Sequence, residues 1–228
     1  MSSFSIDPVF IIIIAVVGLI IFLVAYFNNN ARVKRKLKKA PVKRVSSFYA
    51  GDVAKVVGKV ELVDEPLIAP LSGRPCACYH IIVEQQKSSG KSSQWHTIIN
   101  ETKHCKYLIR DGNAHAMVDD RELRSYIVKD KSYRSGFLND ATDVLERYLN
   151  QHGLESENML GMNKTIRYKE GVIEKGEEVA VYGKGNWKQA EQLGLPDYYG
   201  RVLVLSSPDD DTVYLSDDPS TLGEGAYN

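Results

Sequence analysis

Cys76, Cys78 and His80 fall at alternate positions in the run Cys-Ala-Cys-Tyr-His. Alternate side chains leave the same face of a β-strand, so these three could converge on a metal, with His104 or Cys105 as a fourth ligand. The signal is weak, because unpaired cysteines are commonly buried as small apolar residues. No C-x-x-C pair occurs in the chain, and three cysteines in all exclude a two-zinc RING finger. The expectation is no metal and no cofactor. The chain also lacks a G-x-S-x-G elbow, a Walker loop, an H-E-x-x-H pair and a dinucleotide fingerprint. Ser72, in Pro-Leu-Ser-Gly-Arg-Pro, reads first as part of a turn, and Asp209, Asp210 and Asp211 read as a solvated loop. The expectation is a protein without catalytic residues.

The odd, sparse cysteine set argues against a disulfide framework and fits a reducing compartment. The formal net charge of zero hides a division. Residues 1–44 hold eight cations and one acid, while residues 45–228 hold 21 basic and 28 acidic groups, a net charge of −7. An acidic domain of this kind is not built to grip nucleic acid. Its length suits one domain with a sizeable core.

Residues 9–27 carry no charge and, as a helix, would measure roughly the 30 Å of a bilayer's hydrocarbon core. The reading is a transmembrane helix after a short extracytoplasmic tail, residues 1–8. A basic juxtamembrane stalk, residues 28–47, follows. By the positive-inside rule the N-terminus lies outside and the C-terminal domain is cytoplasmic, which makes this a single-pass membrane protein. Arg32, Lys34, Arg35, Lys36, Lys38 and Lys39 are candidates for contact with lipid head groups, although fixing topology is the simpler role for them.

Beyond residue 50 the pattern is short strands broken by turn residues. Ala54, Val56, Gly58, Val60 and Leu62 alternate with Lys55, Lys59 and Glu61, the mark of a half-buried strand with a kink or bulge at Gly58. Residues 78–83 and 97–101 are expected to pair across a mobile Ser/Lys loop, residues 85–94. A second hairpin is expected at Asp111-Gly112-Asn113. Further strands are expected at 123–129, 165–174, 177–182, 202–205 and 213–216. Ala141, Val144, Leu145, Tyr148 and Leu149 recur at helical spacing, with Asn139 or Asp140 as N-cap and Gly153 as the stop. The fold expected is mainly β with one inserted helix, a small OB-like barrel or sandwich behind the N-terminal transmembrane helix. A partly open OB-like barrel is the favoured version.

Residues 66–84, Pro-Leu-Ile-Ala-Pro-Leu-Ser-Gly-Arg-Pro-Cys-Ala-Cys-Tyr-His-Ile-Ile-Val-Glu, resemble the P-L-x-A-P-x-S-G-x-x-C-x-x-Y segment of the GIDE domain. That domain is the membrane-adjacent module of MULAN-type E3 ubiquitin ligases. The strand beginning at Gly51, the Tyr168-to-Gly185 stretch and the closing Val-Tyr-Leu-Ser-Asp-Asp are similar to the family's flanking motifs, so the resemblance spans about residues 48–218, followed by a flexible tail, 219–228. It marks Pro66, Cys76, Tyr79, Glu170, Gly176 and Gly183 as structural motif positions. The second transmembrane helix and the RING of those ligases are missing from this sequence, so their ubiquitin transfer does not carry over. What the resemblance implies is a partner-sensing module.

The function read from the sequence is a membrane-anchored, non-enzymatic binding or scaffold module acting close to the bilayer, with the lipid bilayer and an unidentified protein as partners. The alternatives are a ligase-type transferase working with a separate RING subunit, and a membrane-surface stress sensor. The candidate partner-binding surface is the turn holding Pro70, Ser72, Gly73, Arg74 and Pro75, with Gly73 expected at positive φ, because loops on a rigid scaffold carry recognition more often than strand faces.

Overall fold

A computed structural model describes residues 8–89, 92–119, 123–135, 142–155 and 164–223. The apolar run forms α1 (Pro8–Phe27), whose large described side chains are 42–68% exposed. Among the described residues no helix is long and apolar enough to cross a membrane. This finding overturns the single-pass transmembrane helix expected from the sequence, and with it the localisation built on that helix, N-terminus outside and C-terminal domain cytoplasmic.

The basic segment that follows is a docked helix. In α2 (Asn29–Lys39), Asn28 caps the first turn by accepting a hydrogen bond from the Asn30 amide. Val33 and Leu37, four residues apart, share one stripe and are fully buried against Val57, Ala180, Tyr182 and Tyr214.

The strands they cover belong to a closed barrel. β1 (Val53–Leu62) pairs with β11 (Glu178–Gln189) at one end and β6 (Tyr107–Asp111) at the other. β6 turns through Gly112, at φ +62°, into β7 (Ala114–Val118), the hairpin expected there. β7 lies parallel to β12 (Arg201–Ser206), and β12 returns antiparallel to β11, closing the ring β1-β6-β7-β12-β11. β13 (Val213–Ser216) and β8 (Leu123–Tyr126) extend this sheet beyond β11. Gly58 sits where β1 exchanges partners: a Cβ there would lie 2.6 Å from the Arg110 carbonyl oxygen, so only glycine admits the approach of β6.

Strand alternation holds on the barrel interior, where Ala54, Val56 and Val60 point into the core. It fails on the outside. Lys55 is 2% exposed because α2 and the closing turn α4 (Pro219–Leu222) cover β1, and its Nζ donates to the Thr221 carbonyl at 2.7 Å. Burial lowers the pKa of this ammonium.

A second sheet stands beside the barrel, in the order β5-β4-β10-β9: β4 (Cys78–Ser89), β5 (Ser92–His104), β10 (Ile166–Ile173) and β9 (Lys131–Ser135). The expected Ser/Lys loop is mostly strand here, since β4 runs to Ser89 and β5 starts at Ser92; residues 90–91 lie outside the described residues. The helix α3 (Asp143–Gln151) covers this sheet with Leu145, Tyr148 and Leu149. Its N-cap is Thr142, which accepts from the Leu145 amide, and Gly153 follows at φ +67°. Asn139, Asp140 and Ala141 lie outside the described residues.

Residues 128–130 fasten the two sheets together. The Val128 amide donates to both carboxylate oxygens of Asp217, at 2.8 and 3.1 Å. Gly171 passes so close to the Val128 carbonyl that a Cβ would fall 2.1 Å from its oxygen. Lys129 donates to the His80 carbonyl, and Asp130 accepts from the Val172 amide. Burial pushes the Asp217 carboxyl from 3.8 up to about 6, against the lowering effect of the Val128 amide. A raised folded pKa gives stability that is full below pH 3.8 and lost as pH rises through 6. Asp217→Asn keeps the acceptor without the charge. It should gain about 1–2 kcal/mol over the parent at pH 8, the gain vanishing near pH 4, in urea unfolding at a series of pH values. A gain of equal size at both pH values would refute this reading of Asp217.

Candidate functional site

The turn singled out in the sequence joins β2 (Leu67–Ile68) to β3 (Pro75–Cys76), a short antiparallel ribbon. Gly73 takes φ +70° and donates to the Ala69 carbonyl, as a tight turn requires. Glu170, 3% exposed, accepts from the Leu71 amide at 2.9 Å and pins the turn to β10. Arg74 lies between Asp130 (2.8 Å) and Glu174 (3.0 Å), so it fastens the ribbon to the second sheet rather than facing a partner. Ser72 Oγ is buried in the turn. Pro70 lines a cleft, and Ile68, 60% exposed, stands beside it.

The cysteines do not share a face. Cys76 ends β3 and packs in the cluster under α3, whereas Cys78 starts β4 and packs in the barrel core. The break in pairing at Ala77 turns them apart, which defeats the alternation argument. Burial pushes the Cys76 thiol up to about 11 and the Cys78 thiol up to about 12, so both stay protonated and unreactive at neutral pH. His80 bonds Asn100 Oδ1 through Nε2 at 2.8 Å, and burial lowers its pKa. Among the described residues no group of three or more His, Cys, Asp or Glu is placed to hold a metal.

Of the other motif positions, Tyr79 is buried under α3, and Gly176 turns β10 into β11 at φ +85°. A Cβ on Gly183 would lie 3.0 Å from the Ser206 carbonyl oxygen, and Pro66 is an exposed residue leading into β2. Of the six expected lipid-facing cations, two turn to the domain itself and one to α1. Lys34 meets Asp218 at 2.6 Å, Lys36 meets Asp211 at 2.5 Å, and Arg35 covers the Tyr26 ring at 3.8 Å. The bond to Asp218 raises the Lys34 pKa. Arg32, Lys38 and Lys39 are exposed.

Two clefts adjoin α3. One, of about 320 Å³, lies between the ribbon and the helix and is lined by Ile68, Pro70, Val144, Arg147, Tyr148 and Gln151. The other, of about 550 Å³, opens beside β5 where the chain leaves the helix, lined by residues 98–102, His152 and Leu154. Glu101 holds the helix between them. Its Oε2 accepts from the Tyr148 hydroxyl at 2.7 Å and from the Tyr79 hydroxyl at 3.4 Å, while Oε1 meets Lys103 at 2.9 Å. Burial would raise the Glu101 pKa, but the bonds from Lys103 and Tyr148 outweigh it and hold the carboxyl below its usual range. Burial and the Glu101 carboxylate raise the pKa of Tyr148, which keeps it a donor. No sequence pattern marks this group: Glu101 and Tyr148 are brought together by the β4–β5 register and the docking of α3.

The structure thus defines a mainly β protein built on a closed five-strand barrel, with a helix-covered second sheet that carries two clefts. Comparisons with protein-family models, curated proteins and solved structures give no match. The likeness to the GIDE segment therefore rests on the residues that carry it.

Tyr148→Phe removes the short bond to Glu101 and should lower stability by about 1–2 kcal/mol at pH 7. The depressed Glu101 carboxyl contributes above pH 4.5 and less as pH falls through its folded value, so the difference should narrow in acid. Chemical denaturation at pH 7 and pH 3.5 checks this. A difference that widens in acid would contradict the assigned role of Glu101.

Proposed function

We propose that this protein is a non-enzymatic binding module that takes a segment of a protein partner into the cleft between the β2–β3 ribbon and α3. The observation that carries the reading is Ile68. It is a large apolar side chain, 60% exposed, on a ribbon held rigid by Glu170 and Arg74, beside a concave wall of Val144, Arg147, Tyr148 and Gln151. An apolar anchor point with a polar rim is the anatomy of a recognition surface. The thiols are unreactive and the Glu101 oxygens are engaged, which favours binding over catalysis at this face. The partner-sensing role implied by the GIDE-like segment points the same way, since that segment builds the ribbon. We also read the barrel as OB-like, supported by its five-strand closure and the parallel β7–β12 pair.

The test is site-specific photocrosslinking in the native host. A benzophenone side chain at position 68 should yield a discrete protein adduct, and one at Tyr49, 78% exposed on another face, should not. Arg147→Glu or Val144→Asp should weaken the position-68 adduct severalfold while leaving thermal unfolding nearly unchanged. Equal adducts from positions 68 and 49, or an adduct indifferent to both cleft substitutions, would sink the proposal.

A further inference from the structure

Lys55 is 2% exposed, yet its ammonium, with three donors to place, meets one acceptor among the described residues, the Thr221 carbonyl. Burial lowers its pKa, and no carboxylate stands near enough to offset that. A buried charge paired this poorly is costly. Water is kept from it by α2 and α4, two helices that take no part in the closed ring of strands.

The two helices are fastened to each other. Lys34 of α2 pairs with Asp218, the residue that caps α4 by accepting from the Ser220 amide. Leu222 of α4 packs in one cluster with Val33 and Leu37 of α2. Farther along, Lys36 pairs with Asp211 and lies over the Tyr182 ring. The two acids that α2 meets are therefore taken by its own lysines and leave none for Lys55. Both lysines are about a third exposed, so dissolved salt reaches their ion pairs.

A hinge lies beside this cover. α2 ends at Ala40, whose extended ψ of 136° breaks the helix ahead of Pro41. Past it, the Pro41 carbonyl accepts from the Lys55 amide and the Lys43 amide donates to the Lys55 carbonyl. The helix can swing while this short ladder stays paired. Only two α2 side chains, Val33 and Leu37, are fully buried, so little apolar surface holds it down.

We propose that α2 and α4 form one strap that opens as a unit, letting water reach Lys55 and baring an apolar seat of Val57, Ala180, Tyr182 and Tyr214, and that the ion pairs of Lys34 and Lys36 hold it shut. Two opposed forces set its position. The poorly paired ammonium favours the open state, and apolar burial with two salt-sensitive pairs favours the closed one. Ionic strength thereby controls how much of this face is bare. The device involves neither of the clefts beside α3.

The test is native-state amide exchange at pH 7 on the full, isotope-labelled chain, in a mild nonionic detergent that covers the exposed side chains of α1. Amides of residues 33–39 and of Thr221 should show matching protection, lower than that of β12 in the ring. Raising sodium chloride from about 0.01 M to about 1 M should speed both sets severalfold and leave β12 unchanged. Lys34→Gln combined with Lys36→Gln should give fast exchange at low salt and no further response to salt. Lys55→Met keeps the length of the side chain without the charge, and should slow exchange of both helices about tenfold. Should the methionine variant fail to fold, the salt series on the parent chain decides alone. Three results would overturn the proposal: unrelated exchange rates in α2 and Thr221, indifference of both to salt, or unchanged or faster exchange in Lys55→Met. The last would make the Thr221 bond a clasp and Lys55 the fastening of the strap instead of its weak point.

Discussion

Three consecutive residues, Val128, Lys129 and Asp130, fasten the second sheet to the barrel side. Their backbone and side chains reach Asp217 on the barrel side, and His80, Gly171 and Val172 on the second sheet. Asp130 also takes the Arg74 guanidinium, so the ribbon hangs from the same point. The contact is largely backbone to backbone or backbone to carboxylate, which fixes distance more tightly than apolar packing does. Glycine at 171 follows from this closeness. The position of the cleft beside the ribbon follows too, because the ribbon that frames it is tied to Asp130 through Arg74.

What could be read from the sequence is local. The Asp-Gly-Asn hairpin, the strand at Ala54 to Leu62, the 3.6-residue stripe of α3 and the Gly73 turn are each specified within a few residues, and each is present. What could not be read depends on what lies across from a residue. Lys55 fits a solvated face until α2 and α4 are placed over it. Cys76 and Cys78 fit one face until the pairing break at Ala77 sends them into different cores. The Ser/Lys run fits a loop by composition but continues the ladder, because backbone pairing with its partner strand decides the conformation. Both clefts are of this second kind, since Ile68, Glu101 and His152 carry no pattern that announces them.

The division of charge also gains a physical meaning. The cations of α2 read in isolation as a basic tract facing outward, yet Lys34 and Lys36 reach Asp218 and Asp211 on the acidic domain, and Lys36 also sits 4.4 Å from the centre of the Tyr182 ring. These pairs are partly exposed, so each contributes modestly. Their value lies in orientation: with Val33 and Leu37 buried beneath, they fix which face of the helix meets the barrel.

The bond from Lys55 to Thr221 joins positions 166 residues apart. On a ribosome adding about 5–20 residues per second, that separation amounts to a wait on the order of ten to thirty seconds. Throughout it the first barrel strand is already synthesised, but its ammonium has not met the carbonyl that will bury it. The β1–β11 pairing that closes the ring likewise waits for residues 178–189, late in the chain, to be made. Barrel assembly is therefore post-translational in character: the early strand is a long-lived nascent segment, and a transcript cut short before codon 178 yields a chain without the strand that closes the ring.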